Sequence, residues 1–401
     1  VAGLAAFLCL CAAGATWWSV RPDTYVASAP QRAAGSARPD LAATVLDGLR
    51  TAIDHRDGEA AAALGADDAA RALLRAVVAN ADALDVEGLG LRYVDEDGAV
   101  APDGRWTAAV DVRWRFAGYD RTATHEEVDV GFATVDGRPS ISGLGGGGRR
   151  SPLWLTAPLH VEATSRVLTL GVDAAAVRRY AALARRAVPV VGRVVTGWGG
   201  PLVVEVPRSE AQVDAALGAA PGTYAGVAAV TASVDGSAAA GAPVHVFVNP
   251  DVTGRLDAQG AQVVISHEVT HAATGAATAS ARRPIWLTEG FADYVALRDV
   301  DLPITTTAAQ VIAQVRRSGA PAHLPDAADF DSRSESFGAE YEAAWMACRV
   351  IADRAGEPGL VEVYDRVGAG EDLDEVLHDV LGVGTAGLTR LWQRRLSDLA
   401  A

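Results

Sequence analysis

At 401 residues the chain exceeds a single typical domain, so two domains are expected. Half of its residues are hydrophobic, ample for a core, and 50 acidic against 35 basic residues give a formal net charge of −15. That balance argues against a nucleic-acid partner, whose phosphates call for a basic patch. Cysteine is sparse. Cys9 and Cys11 fall in the first apolar stretch and Cys348 stands alone far away, so no intrachain disulfide is expected in the soluble part. Cys348 reads as a buried small hydrophobe.

Val1 to Val20 is apolar throughout, ends in Trp17 and Trp18, and is followed by Arg21. About 20 such residues suffice to span a bilayer, and paired tryptophans suit the headgroup interface. An uncleaved anchor over residues 1–20 is the favoured reading. A signal peptide cleaved near Ala13-Gly14-Ala15 competes with it. Either one puts the remainder outside the cytoplasm, the anchored form at the cell membrane and the cleaved form secreted.

Residues 21–39, with Pro22, Pro30 and Pro39 among Ala, Ser and Gly, read as a linker. Leu41 to Leu84 is helical in pattern, with an interruption near Gly65. Trp106, Ala108, Val110, Val112, Trp114 and Phe116 then alternate with more polar neighbours, the period-two signature of a half-buried strand. Val128, Val130 and Phe132 repeat it, and Asp136-Gly137 marks a turn. Helices followed by a curved antiparallel sheet over residues 40–158 resemble NTF2-like or cystatin-like domains. His125, Glu126 and Glu127 read as a solvated strand end. Gly143 to Arg150 (GLGGGGRR) lacks the Gly-Lys-Ser/Thr ending of a phosphate loop and reads as a mobile hinge near the domain boundary.

A second domain is expected over residues 160–401. Val167 to Val172, Leu202 to Val206 and Val244 to Asn249 read as strands, with a helix from Ala174 to about Trp198. His245 alternates with apolar neighbours and reads as a strand-surface histidine. Ala261 to Ala273 is a helical stretch holding Ser266-His-Glu-Val-Thr-His271. His267 and His271 are four apart, hence on one helical face, where two neutral imidazoles grip one zinc ion at roughly 2.0–2.1 Å. Glu268 lies beside the first, placed to take a proton from the attacking water. With 8 histidines and 17 glutamates in 401 residues, chance supplies roughly 0.007 such patterns. A catalytic zinc wants a third protein ligand. Glu289 follows in a second helix, Trp286 to Ala296, and Asp293 lies one turn beyond it, suited to accept the spare N–H of a zinc-bound imidazole.

HEVTH followed by WLTEGFADYVA resembles the gluzincin metallopeptidases, most closely the peptidase MA-like branch of bacterial envelope proteins. The resemblance implies His267, His271 and Glu289 as zinc ligands and Glu268 as general base. It also implies that the strand just before the zinc helix is a sheet edge along which substrate backbone pairs. In the aminopeptidase-like branch a Tyr-Glu pair carries a phenol that bonds the oxyanion, a role that falls here on Tyr341 of Tyr341-Glu342. The expected fold is therefore α+β: a membrane segment, a helix-plus-curved-sheet domain, and a gluzincin domain with a small mixed sheet, a zinc-binding helix and a helical C-terminal lobe. That lobe is expected at roughly 306–318, 338–355, 358–367, 371–381 and 384–399. The expected function is a zinc-dependent peptidase of the cell envelope acting on peptide or protein substrates. A catalytically idle binding module working through its N-terminal domain is the alternative, and a structural zinc protein a third. Oligomeric state and natural substrate stay open.

Overall fold

The computed structural model describes residues 37–239, 241–278, 283–330 and 337–401. Three helices open it: α1 (Pro39–Asp54), α2 (Gly58–Ala62) and α3 (Asp68–Ala83). Pro39 suits the first turn of α1, where its missing N–H costs no bond. Ala42, Leu46, Leu49 and Ile53 recur at helical spacing and are buried. Asp67 caps α3 by accepting the Ala70 N–H at 2.9 Å.

The first sheet is an antiparallel meander in the order β1 (Val86–Asp97), β2 (Arg105–Phe116), β3 (Thr124–Val135), β4 (Arg138–Leu144). Asp136 and Gly137 join β3 to β4 with φ of 50° and 76°, the double positive φ of a tight hairpin turn. Register shifts between Glu87 and Gly90 and between Tyr93 and Asp95 bend β1. Trp106, Ala108, Val110, Val112, Trp114 and Phe116 of β2 are all buried in the core that α1 and α3 cover. A short helix, α4 (Leu153–Thr156), follows β4. Buried Asn80 fastens it, donating to the carbonyls of Trp154 (2.8 Å) and Ala157 (2.7 Å).

The glycine-rich loop, expected as a mobile hinge, is held by hydrogen bonds. Gly145, Gly146 and Gly147 run consecutively at φ of 75°, 84° and 73°, a path that side-chain-bearing residues resist. Their backbone is tied down: the Gly145 N–H donates to Asp129 O at 2.7 Å and that of Gly146 to Ser151 Oγ at 2.9 Å. Arg149 then pairs with Asp97 and Asp129, and Arg150 donates to Val234 O at 3.2 Å.

The second sheet is mixed. Its strands are β5 (His160–Ala163), β6 (Val167–Gly171), β7 (Leu202–Val206), β8 (Ala229–Ser233) and β9 (Val244–Val248), in the spatial order β5-β6-β7-β9-β8. β6, β7 and β9 are parallel, and the connection from β6 to β7 runs through α5 (Ala174–Gly192). α6 (Glu210–Leu217) precedes β8, and α7 (Pro250–Thr253) follows β9. β9 is therefore flanked on both sides, and the expectation that it forms the edge is corrected. β8, antiparallel to it, is the edge.

Both faces of this sheet are covered. Val167, Val204, Val206, Val246 and Val248 face a core built with α5 and the later helices, while Leu168, Leu170 and Val203 join the core of the first half. The period of two sorts alternate residues to the two sides. On the helical side lie α8 (Ala258–Thr274), α9 (Ile285–Leu297), α10 (Ile304–Thr307), α11 (Ala309–Ser318), α12 (Phe337–Ala369), α13 (Leu373–Leu381) and α14 (Thr385–Ala400). α12 breaks at Gly356, whose φ of 75° ends one helix before Pro358 begins the next.

The architecture is α+β with two sheets, and the expected fold is corrected at its beginning. No described helix is long and apolar enough to cross a membrane. Residues 1–20, to which the span was assigned, lie outside the described residues.

Candidate metal centre

α8 supplies the first part of the site. Asp257 caps it, accepting the Gly260 N–H at 2.7 Å, and Gly275 closes it in the left-handed conformation at φ 66°. One turn apart, His267 and His271 point the same way, their ring centroids 4.6 Å apart and their planes at 82°. α9 supplies the rest. It crosses α12 so closely that a Cβ on Gly290 would stand 2.3 Å from Ala344 O and 2.9 Å from Cys348 Sγ. Any other residue there would push away the helix whose preceding residue is Glu289. Cys348 itself is buried, and burial pushes its thiol well above the usual range.

Three atoms converge. His267 Nε2 and His271 Nε2 are 2.9 Å apart, and Glu289 Oε2 is 3.2 Å from the first and 3.4 Å from the second. Two ligands held roughly 2.0–2.1 Å from one tetrahedral zinc are about 3.3 Å apart, so the triangle is the right size. His267 Nδ1–H donates to Asp293 Oδ1 at 2.7 Å, which turns the Nε2 lone pair toward the other two atoms. Facing electron pairs at these distances repel unless a proton or a metal ion lies among them. All three residues are buried, and Glu289 Oε1 has no hydrogen-bond partner among the described residues. Two imidazoles and a carboxylate are a donor set suited to zinc.

The electrostatics agree. Burial alone would lower the pKa of His267, but the carboxylates of Asp293, Glu289 and Glu268 outweigh it and push it up to about 10. Burial alone would raise that of Glu289, yet the imidazoles of His271 and His267 hold it well below the usual carboxylate range. The cluster draws positive charge to the rings and keeps Glu289 an anion.

Glu268 is buried beside this triangle and is not one of its converging atoms. Thr231, on the edge strand β8, donates its hydroxyl to Glu268 Oε2 at 2.8 Å and lies 2.9 Å from Glu268 O. Tyr341, near the start of α12, has its ring centroid 6.1 Å from that of His267. Burial, then the Glu289, Asp293 and Glu268 carboxylates, push its phenol well above the ordinary value. Phe330 packs edge-on against it. His267, Glu268, His271, Glu289, Asp293 and Tyr341 are thus brought together, and Thr231 is the neighbour that the sequence pattern did not reveal.

His245 lies elsewhere and not at the strand surface. It is fully enclosed between the two halves, with Nδ1 2.7 Å from Glu205 Oε1 and Nε2 3.1 Å from Asp120 Oδ1. Burial works against its charge, but Asp120 and Glu205 raise it to about 9. Glu126, expected in solvent, is buried nearby at 3.7 Å from Arg150, and burial lifts its carboxyl to about 8. His125 and Glu127 are exposed. His323 stands with Asp326 and Asp329 in a largely exposed group, and exposed His378 lies 3.7 Å from Asp374.

No protein-family model matches the chain, and no curated protein matches its sequence significantly.

Proposed function

We propose that the chain is a zinc-dependent peptidase of the gluzincin kind, hydrolysing peptide bonds in peptide or protein substrates. One observation carries this reading. Two buried imidazole nitrogens and a buried carboxylate oxygen converge within 3.4 Å, and a second buried carboxylate, Glu268, stands beside them outside the triangle.

His267, His271 and Glu289 would hold the ion. When bound, zinc supplies Lewis acidity toward the scissile carbonyl and lowers the pKa of adjacent water toward roughly 7. The chain's own groups do the rest. Glu268 accepts the proton of the attacking water and returns it to the leaving amine. Asp293 holds His267 in the tautomer whose Nε2 lone pair is free. The Tyr341 hydroxyl would donate to the oxyanion. The free edge of β8 offers backbone N–H and C=O groups to an extended peptide, a mode that fixes orientation without demanding particular side chains.

The test is Glu268→Gln. The amide keeps the size of the side chain but cannot accept the proton. The variant is expected to fold, retain zinc, bind peptide, and cleave a broad peptide library at least about 100-fold more slowly. Equal cleavage by both proteins, or none by the zinc-loaded wild type, would replace the peptidase reading with that of a binding module.

A further inference from the structure

We propose that Thr231 is a positioning residue that tethers the Glu268 carboxylate away from the metal-ligand triangle, so that it serves as base and not as a fourth ligand. The inference rests on the peptidase reading for its consequence, though the tether itself is a matter of geometry.

Glu268 follows His267 directly, and its charge is felt by both His267 and Tyr341. A carboxylate so near a divalent cation has a strong incentive to coordinate it. Coordination would close the position that a catalytic site must keep open. Something has to oppose that pull. Thr231 Oγ1 lies 2.8 Å from the Glu268 side chain and 2.9 Å from its backbone carbonyl, so one hydroxyl reaches both ends of the residue. With Oε2 engaged, Oε1 is the atom left to take a proton.

The placement follows from strand geometry. Thr231 pairs with Val246, which lies in the core beneath α8, while its neighbour Val230 packs on the opposite side with Val213, Leu217 and Phe247. The alternation of β8 therefore turns Thr231 toward the zinc helix. A buried strand position beside such a core would suit valine, which has the same shape. An unbonded hydroxyl buried there would be costly. Here the hydroxyl is bonded, and to a charged acceptor, which makes it a stronger bond than a neutral pair.

The experiment compares Thr231→Val, Thr231→Ser and, as a smaller substitute should valine disturb packing, Thr231→Ala. Each is loaded with Zn²⁺ for kinetics and with Co²⁺ for its visible absorption, which reports coordination number. Valine and alanine are expected to lower kcat by roughly 10–100-fold, the range for losing a hydrogen bond to a charged group. KM is expected to change little. Their cobalt spectra should move toward higher coordination as Glu268 swings onto the ion, and serine should restore both rate and spectrum. Wild-type kcat and an unshifted cobalt spectrum in the valine and alanine variants would overturn the tether. A zinc-loaded wild type inert on peptides would overturn the peptidase reading instead, with the cobalt spectra still deciding whether the tether exists.

Discussion

Asp293 Oδ1 and His267 Nδ1 lie 2.7 Å apart across two helices, one carrying the His-Glu-x-x-His motif and the other Glu289. The bond reaches from the back of the imidazole and leaves its front nitrogen turned toward His271 and Glu289. Asp293→Ala is expected to weaken zinc affinity by about 10–100-fold, as loss of an outer partner commonly does. A competition titration with a chelating dye measures it. Unchanged affinity in a folded variant would reduce Asp293 to a partly buried surface charge.

Removing a ligand should do more. Purified protein is expected to carry about one zinc per chain, and His267→Ala or Glu289→Ala to lose most of it, since each takes one of three converging donors. Elemental analysis after gel filtration decides. Full occupancy in Glu289→Ala would move the third ligand elsewhere.

Tyr341→Phe deletes one hydroxyl and leaves the edge-on packing against Phe330 in place. If that hydroxyl donates to the oxyanion, kcat should fall by about 10²–10³, with zinc content and KM nearly unchanged. Wild-type kcat would assign Tyr341 to packing around Glu289.

The buried His245 predicts a pH dependence of stability. Its pKa rises from 6.5 to about 9 on folding, so the folded state holds a proton that the unfolded state releases between those values. Its contribution is complete below pH 6.5 and is lost as pH rises through about 9. Glu126, raised from 4.5 to about 8, acts in the same direction at lower pH. Asp120 and Glu205 face the imidazole, and Arg150 and Asp235 act on Glu126. Stability should therefore decline across pH 6.5–9 by up to about 1.4 kcal/mol per unit for each extra proton held. His245→Gln lowers stability overall, because it strands two carboxylates, but it should flatten that slope. Thermal melts of the zinc-loaded proteins across the interval measure it, and parallel slopes would refute the assignment.

What the sequence made legible is what repeats at short range. The alternation from Trp106 to Phe116 and the i, i+4 spacing of His267 and His271 are set by backbone geometry, and both survive into the fold. The break near Gly356 was visible for the same reason: glycine followed by Pro358 cannot continue a helix. The edge strand was hidden because Ala-Val-Thr-Ala-Ser is short and alanine-rich, with little contrast between its faces. His245 and Glu126 were misjudged because burial depends on partners that arrive from afar. Asp120 is 125 residues from the histidine it holds. The bonds that hold the glycine loop stayed hidden because composition records the freedom of a chain and not the partners that limit it.

The back of the second sheet has an outcome for heredity as well as for chemistry. Leu168, Leu170 and Val203 share one core with Trp114, Phe116 and Trp154 of the opening half. A gene fragment beginning at the second sheet would encode the whole candidate metal site and still expose that greasy flank to water. Recombination that shuffled the second half onto a new leader would have to bring a replacement cover with it. The two halves are expected to be inherited, trimmed and expressed together.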